Sequence, residues 1–341
     1  MASERAVVVG AGGVSGAWFK ALAAEQVRVE AVVDLDIDRA RQRIAEFRLS
    51  GEASINLAQV LRKHQPDFVV DLTVPEAHCR VTCTALRKGC HVIGEKPMAA
   101  SMSQAQRMVR TSEETGKLYM VSQSRRWETN HETCRRLVES GEIGKLTTMN
   151  CDFYIGAHFG GFRDEMASPL ILDMAIHHFD LARYLSGGKA EAVYAREFNP
   201  SGSRYRGDAA ASCVFEMTEG IVFTYRGSWC AEGCHTSWNG DWRLIGEKGT
   251  ILMEKDQLPR GEVVCGTEGF HRSLRSVKLP KPTIEYNEMH GALREMLAFL
   301  RTGRKPQTEC HDNIESLAMV LGAVESSRKG RRVVVKGLSR G

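Results

Sequence analysis

The sequence predicts an α/β chain in two parts: a doubly wound parallel sheet over residues 1–123, then an α+β domain with a large, open, mostly antiparallel sheet over residues 124–341. Three observations predict it. Up to about residue 122, short Val/Ile-rich runs alternate with amphipathic helical stretches, the pattern of strands buried on both faces by crossover helices. Beyond residue 145 the apolar runs interleave with polar residues and Gly-rich turns, as in a sheet with one wetter face. Finally, 341 residues exceed the roughly 250 that a single core organises.

In chain order, "RAVVVG" reads as a strand, "VSGAWFKALAA" as a helix, "VEAVVD" as a strand, "DRARQRIAEF" as a helix and "DFVVDLT" as a strand. Next come the helix "AHCRVTCTALRKG", ending at Gly89, the strand "HVIG", the helix "SQAQRMVRTSEETG" and the strand "LYMVSQ". The second part offers the strand-like segments "LTTMNCDFYIG", "EAVYAREFN", "AAASCVFEMT", "GIVFTYRGSWC", "DWRLIGEKGTILME" and "SLRSVKL", closed by helices over residues 289–300 and 313–328.

Composition excludes several classes. The 46 basic and 42 acidic residues leave a net charge of +4 spread along the chain, so no nucleic-acid partner is implied, and the basic tail "SRKGRRVVVKGLSRG" reads as a solvated end. Runs of about 18 apolar residues and a secretory leader are both lacking, which implies no membrane span. Ten scattered cysteines fit reduced thiols and a cytoplasmic location. In "CAEGCH", Cys230, Cys234 and His235 are zinc-ligand types without a second pair at matching spacing, so the expectation for metal is none.

The chemistry-bearing motifs fall at predicted strand ends. "VVVGAGGVSGAWF" puts Gly10, Gly12, Gly13 and Val14 between the first strand and helix, where a tight turn and close backbone approach suit a pyrophosphate on the helix N-terminus. Ser15 takes the third glycine's place, with Gly16 following. Asp34, 22 residues after Gly12, ends the second strand, where a carboxylate accepts ribose hydroxyls and repels a 2′-phosphate. NAD is therefore favoured over NADP. Thr73, Pro75 and His78 of "DLTVPEAHCRV" sit at the same edge and are candidate cofactor contacts. So do Glu95 and Lys96 of "HVIGEKPMA", with Lys96 reaching toward nicotinamide and substrate and Pro97 excluding a helix.

In "LILDMAIHHFDLARYL", helical periodicity places Asp173, His177 and Asp180 on one face and turns His178 away. A histidine between carboxylates is poised for proton exchange near neutral pH, making His177 the functional imidazole and His178 the structural one.

These motifs, with "GCHVIGEKPMA", "GEIGKL", "GEKGTI" and "DNIESLAMVLGAVESSRKGRRV", resemble in order the landmarks of the Gfo/Idh/MocA oxidoreductases (glucose–fructose oxidoreductase, inositol dehydrogenase, MocA) over nearly the whole chain. The resemblance implies a Rossmann domain followed by an open-sheet domain that builds the substrate pocket and a dimer or tetramer interface. It also implies that Lys96 polarises the reacting hydroxyl, His177 acts as base or acid and Asp173 orients both. Ser15 and "ASPLILD" depart from its pattern. A sugar, cyclitol or related polyol is the expected substrate, with Arg125, Tyr154, Arg163, Trp238, Asp173 and His177 as candidate contacts among a wider group containing His158, Trp229 and Asn239. A redox-neutral glycoside-cleaving cycle, a dihydrodiol-type dehydrogenase and an NAD-binding sensor stay open as alternatives.

Overall fold

A computed structural model describes residues 3–338. The chain forms two compact units: one runs to Ser124 and resumes over Glu285–Leu317, the other takes Arg125–Ile284 and the chain from Ala318 onward.

In the first unit, strands β1 (Arg5–Val9), β2 (Arg28–Val33), β3 (Glu52–Ser54), β4 (Phe68–Asp71), β5 (His91–Glu95) and β6 (Tyr119–Ser122) alternate with helices α1 (Ser15–Ala24), α2 (Ile37–Glu46), α3 (Leu57–His64), α4 (Pro75–Arg87) and α5 (Met102–Thr115). The strands lie in the order β3-β2-β1-β4-β5-β6, every pair parallel. Val7, Val8, Val69, Val70, Val92 and Ile93 are fully buried, as strands covered on both faces require. The winding reverses between β1 and β4, which opens a crevice at the strand carboxyl ends. Asp36, Asn56 and Ser101 cap α2, α3 and α5 with side-chain oxygens, setting where each crossover begins. The sequence pattern misses α3, and it misses β3 because three half-buried residues carry no apolar run.

The second unit begins with α6 (Thr129–Glu139), β7 (Leu146–Tyr154), the short α7 (Phe162–Glu165) and a π-helical turn, Leu170–Ala175, that leads into α8 (Ile176–Ser186). Strands β8 (Ala190–Phe198), β9 (Ala210–Met217), β10 (Val222–Ser228), β11 (Asp241–Gly246), β12 (Gly249–Met253), β13 (Arg260–Val264) and β14 (Leu274–Ser276) follow. Helices α9 (Glu288–Thr302) and α10 (Cys310–Lys329) precede β15 (Val333–Val334). The nine-stranded sheet runs β14-β13-β12-β11-β7-β10-β9-β8-β15, antiparallel except where β10 joins β7. Its inner face buries Phe153, Phe215, Phe223, Tyr225 and Trp242, with Phe179 of α8 edge-on to Phe215 at 4.8 Å and to Tyr225 at 5.3 Å. On the outer face, Tyr194, Val214, Thr224, Asn150 and Arg243 stand in register across five strands.

Helix α9 departs from the expectation that everything past residue 123 belongs to the second part. It packs on α1, with His290 Nε2 2.7 Å from Glu25 Oε1 and Leu293, Met296 and Leu297 buried. No helix among the described residues is long and apolar enough to cross a membrane.

Candidate active site

The nucleotide turn is built from backbone. Gly10 adopts φ +101°, and a Cβ there would lie 2.7 Å from Leu72 O, so no other residue fits. Around Gly12 and Gly13 the same construction meets nothing within 4 Å, leaving main chain open to a ligand. Ser15 is fully buried and its Oγ donates to Gly12 O at 2.7 Å, closing the turn. Close packing passes to Gly16, where a Cβ would stand 3.3 Å from the Phe47 ring. Arg43, which the sequence pattern does not single out, donates to Ala11 O at 3.3 Å and Gly12 O at 3.2 Å.

Asp34 ties this turn to β2. One carboxylate oxygen accepts from Ala11 N–H at 2.7 Å and the other from Asp36 N–H at 2.9 Å. Each oxygen has capacity for a further bond, which suits ribose hydroxyls. A cleft of about 560 Å³ lies beside it, lined by Gly10, Gly12, Asp34, Thr73 and Val74 and also by Leu35, Ile55, Arg39 and Arg80, which were not among the candidate contacts. Leu35, Ile55 and Val74 are 87%, 64% and 62% exposed, an apolar rim suited to a flat aromatic base. The residues therefore fit a dinucleotide.

The β4 and β5 ends form a buried polar network. Asp71 accepts from Thr73 Oγ1 at 2.6 Å and from Thr82 Oγ1 at 3.2 Å, and desolvation raises its pKa while His78 opposes the rise. The expectation that His78 touches cofactor is corrected: its ring is 1% exposed, with Nε2 2.8 Å from Thr73 O and Nδ1 3.0 Å from Pro97 O. Both nitrogens face protein carbonyls. Thr73 lines the cleft but turns its hydroxyl inward to Asp71, and Pro75 is the first residue of α4 behind Val74. Glu95 accepts from buried Trp18 Nε1 at 2.8 Å and from Lys96 N–H at 3.3 Å, and burial raises its pKa. It thereby fastens α1 to the turn that carries Lys96 and the cis Lys96–Pro97 bond.

The second unit uses side chains. Uniform helical periodicity fails over Asp173, because Leu170–Ala175 is a π-helical turn and only Ile176–Ser186 is α-helix. Two ion pairs fix the carboxylates on either side of His177 in the sequence: Arg163 Nε bonds Asp173 Oδ2 at 2.5 Å, and Arg126 grips fully buried Asp180 at 2.6 and 2.8 Å. Arg183 adds a 3.6 Å contact to Asp180. These pairs hold the helix that carries His177, itself 9% exposed. His178 lies 4.9 Å from the Phe153 ring and 5.5 Å from Tyr225, and burial pushes its pKa down to about 3.

Of the six predicted substrate residues, Arg163, Asp173 and Trp238 come together, Arg125 and His177 belong to the same unit, and Tyr154 lies elsewhere. The Arg163 guanidinium lies 4.9 Å over Phe159, whose ring is 6.0 Å from Trp238, so Arg163, Asp173 and Trp238 share an aromatic patch. Arg125 lies near enough to His178 to help depress its pKa. Tyr154 is corrected: it alternates with Phe153, which packs on His178, and it neighbours Asp152 and Arg226 on the outer sheet face instead. Strand pleating puts it there. Cys230 donates to Ser203 Oγ while His235 Nε2 accepts from Gly156 N–H, so that zinc-like spacing does not converge.

Comparisons with known proteins agree with this geometry. The model for the oxidoreductase family with an NAD-binding Rossmann fold, GFO/IDH/MocA, matches residues 4–123, and the GFO/IDH/MocA C-terminal domain matches residues 131–252. An uncharacterized protein, y4oX, of Sinorhizobium fredii is 27% identical across 96% of this chain and 94% of its own. D-apiose dehydrogenase of Paraburkholderia graminis is 25% identical, covering 91% of this chain and 84% of that protein. An oxidoreductase from Agrobacterium radiobacter, solved with NAD+, L-tartaric acid and magnesium, shares the fold with a TM-score of 0.85 at 22% identity, covering 98% of this chain and 99% of that one. Taken with the nucleotide turn and the two units, these matches identify the chain as a member of the GFO/IDH/MocA family of NAD-binding oxidoreductases.

Proposed function

We propose that the protein catalyses reversible hydride transfer between a nicotinamide cofactor and a secondary hydroxyl of a sugar, cyclitol or sugar derivative. The observation that carries this reading is the Asp34-anchored, glycine-lined nucleotide cleft of the first unit; the second unit adds a buried imidazole, His177, on a helix braced by ion pairs. Likeness to D-apiose dehydrogenase supports a sugar substrate. NAD is favoured over NADP because Asp34 presents a carboxylate where a 2′-phosphate needs a cation, although Arg39 and Arg80 also line the cleft.

The bound dinucleotide supplies the hydride acceptor. Gly10, Gly12, Gly13 and Val14 hold its phosphates on backbone, and Asp34 holds its ribose. Lys96 binds and polarises the hydroxyl, His177 takes its proton on oxidation and returns it on reduction, and Asp173 with Arg163 and Trp238 orients the polyol. The outer face of the nine-stranded sheet, with half-exposed Tyr194, Phe198 and Val214, serves a homodimer or homotetramer.

The test is NADH formation, with NAD and separately NADP, across sugars, inositols, glycosides and simple diols. Turnover of a polyol with NAD supports the reading. Cofactor binding without turnover on any of them contradicts it.

A further inference from the structure

In the first unit, away from the nucleotide turn, three consecutive side chains converge where the connection after α9 enters α10. Glu309, Cys310 and His311 each offer a ligand atom, all within 4.8 Å of one another. Cys310 Sγ is 3.6 Å from His311 Nδ1 and 3.8 Å from Glu309 Oε2, and that same oxygen is 2.7 Å from Nδ1. We propose that this trio is a binding site for one thiophilic divalent cation of the zinc class, coordinated by Cys310 Sγ, His311 Nδ1 and Glu309 Oε2.

Distances carry the first part of the argument. A tetrahedral zinc, with bonds of about 2.3 Å to sulfur and about 2.0–2.1 Å to nitrogen or oxygen, sets its donors roughly 3.3–3.6 Å apart. Both sulfur edges already stand near that spacing, and the nitrogen–oxygen edge needs to open by about 0.6 Å, a small side-chain rotation.

Surrounding groups carry the second part. His311 Nε2 lies 2.8 Å from Glu113 Oε1 of α5, the carboxylate support that ligating histidines use to fix the far nitrogen. Lys305 Nζ sits 2.8 Å from Glu309 Oε1, while Oε2, which also accepts from His311 N–H at 3.2 Å, faces the other two side chains. With the ring hydrogen placed on Glu113, the Nδ1 lone pair and Glu309 Oε2 are two acceptors in contact. A bridging cation resolves that contact, and so does a second ring proton; the experiment separates the two.

Charge and access agree. A thiolate, a carboxylate and a neutral imidazole neutralise a divalent cation, while Lys305 and Glu113 cancel one another. Cys310 and Glu309 are 1% and 8% exposed, whereas the His311 side chain, at 35%, leaves an entry. Sulfur and imidazole donors select zinc-class cations over magnesium or calcium. Because Thr308 O accepts from Val121 N–H at 3.0 Å and Glu309 bridges to Met120, the cation would fasten the start of α10 to the edge of the parallel sheet.

The probe is Co2+, titrated alone into the full chain after chelator treatment. The expected result is one equivalent, with sulfur-to-cobalt charge-transfer absorption and tetrahedral visible bands, displaced by Zn2+. Cys310→Ser should lose the charge-transfer band, Glu113→Gln should bind roughly 10–100-fold more weakly, and NAD binding should stay unchanged in both. No charge-transfer band in the unsubstituted chain overturns the proposal, whether or not the variants fold. So does a band that persists undiminished in Cys310→Ser, which would put the metal on exposed Cys234 or Cys265.

Discussion

The two units solve the same problem, holding chemistry still, in different materials. In the first, the material is main chain at strand ends: the Gly10–Gly13 turn, with open space around Gly12 and Gly13, and the Thr73 and Pro97 carbonyls beside His78. In the second it is side chains locked by ion pairs, Arg163 with Asp173 and Arg126 with Asp180. Backbone sites follow from local sequence, whereas side-chain sites depend on partners 10 and 54 residues apart along the chain. Cofactor binding should therefore survive changes in the second unit that abolish chemistry.

The largest expected effect comes from the proposed proton-transfer group. His177→Ala should lower turnover by about 10²–10⁴-fold while leaving NAD affinity within about twofold. Lys96→Ala should lose at least as much turnover, in the same assay, because Lys96 also positions substrate.

Next in size is the ion pair under His177. Asp180→Ala removes the buried carboxylate that Arg126 and Arg183 share, and should destabilise the chain by about 3–5 kcal/mol in urea unfolding. The outer-face pair Arg226–Asp152 has equally short bonds, 2.6 and 2.7 Å, but lies in solvent. Arg226→Ala should therefore change stability by under about 1 kcal/mol. Equal losses in the two variants would break the contrast between buried and surface pairs.

Acid should unsettle the second unit in a defined window. Burial pushes the pKa of His131 down to about 4 and that of His178 down to about 3, against about 6.5 in the unfolded chain. The unfolded chain then binds protons that the folded chain refuses. The stabilisation is complete above about pH 6.5 and falls, by up to about 1.4 kcal/mol per pH unit for each histidine, until about pH 4 for His131 and about pH 3 for His178. Urea midpoints at pH 7, 6 and 5 read this slope, and His178→Phe should flatten it.

The smallest effect belongs to Arg43. Its removal frees two turn carbonyls and should weaken NAD binding by about 0.5–1.5 kcal/mol in calorimetry, with turnover at saturating NAD unchanged.

What was legible in the sequence follows the same division. Periodicity and glycine spacing gave the strand order's raw material, the nucleotide turn and Asp34, because each depends on neighbours within a few residues. Ser15 looked like a defect and turned out to close the turn, its partner being Gly12 O. The apolar rim of Leu35, Ile55 and Val74 carried no signal, since an exposed apolar residue in a loop is ordinary. The π-helical turn that carries Asp173 was not legible, since such a turn has no signature in the pattern of apolar residues. Tyr154 misled through register, since one residue along a strand exchanges the inner face for the outer. His78 was placed at the right edge, but its two carbonyl partners come from segments that only folding brings together.

The most direct test of the central claim, that cofactor binding and proton transfer are carried by separate units, is to measure NAD affinity and polyol turnover side by side in His177→Ala. The account predicts an unchanged dissociation constant with turnover at least 100-fold lower. A tenfold loss of NAD affinity, or turnover near that of the unsubstituted chain, would contradict it.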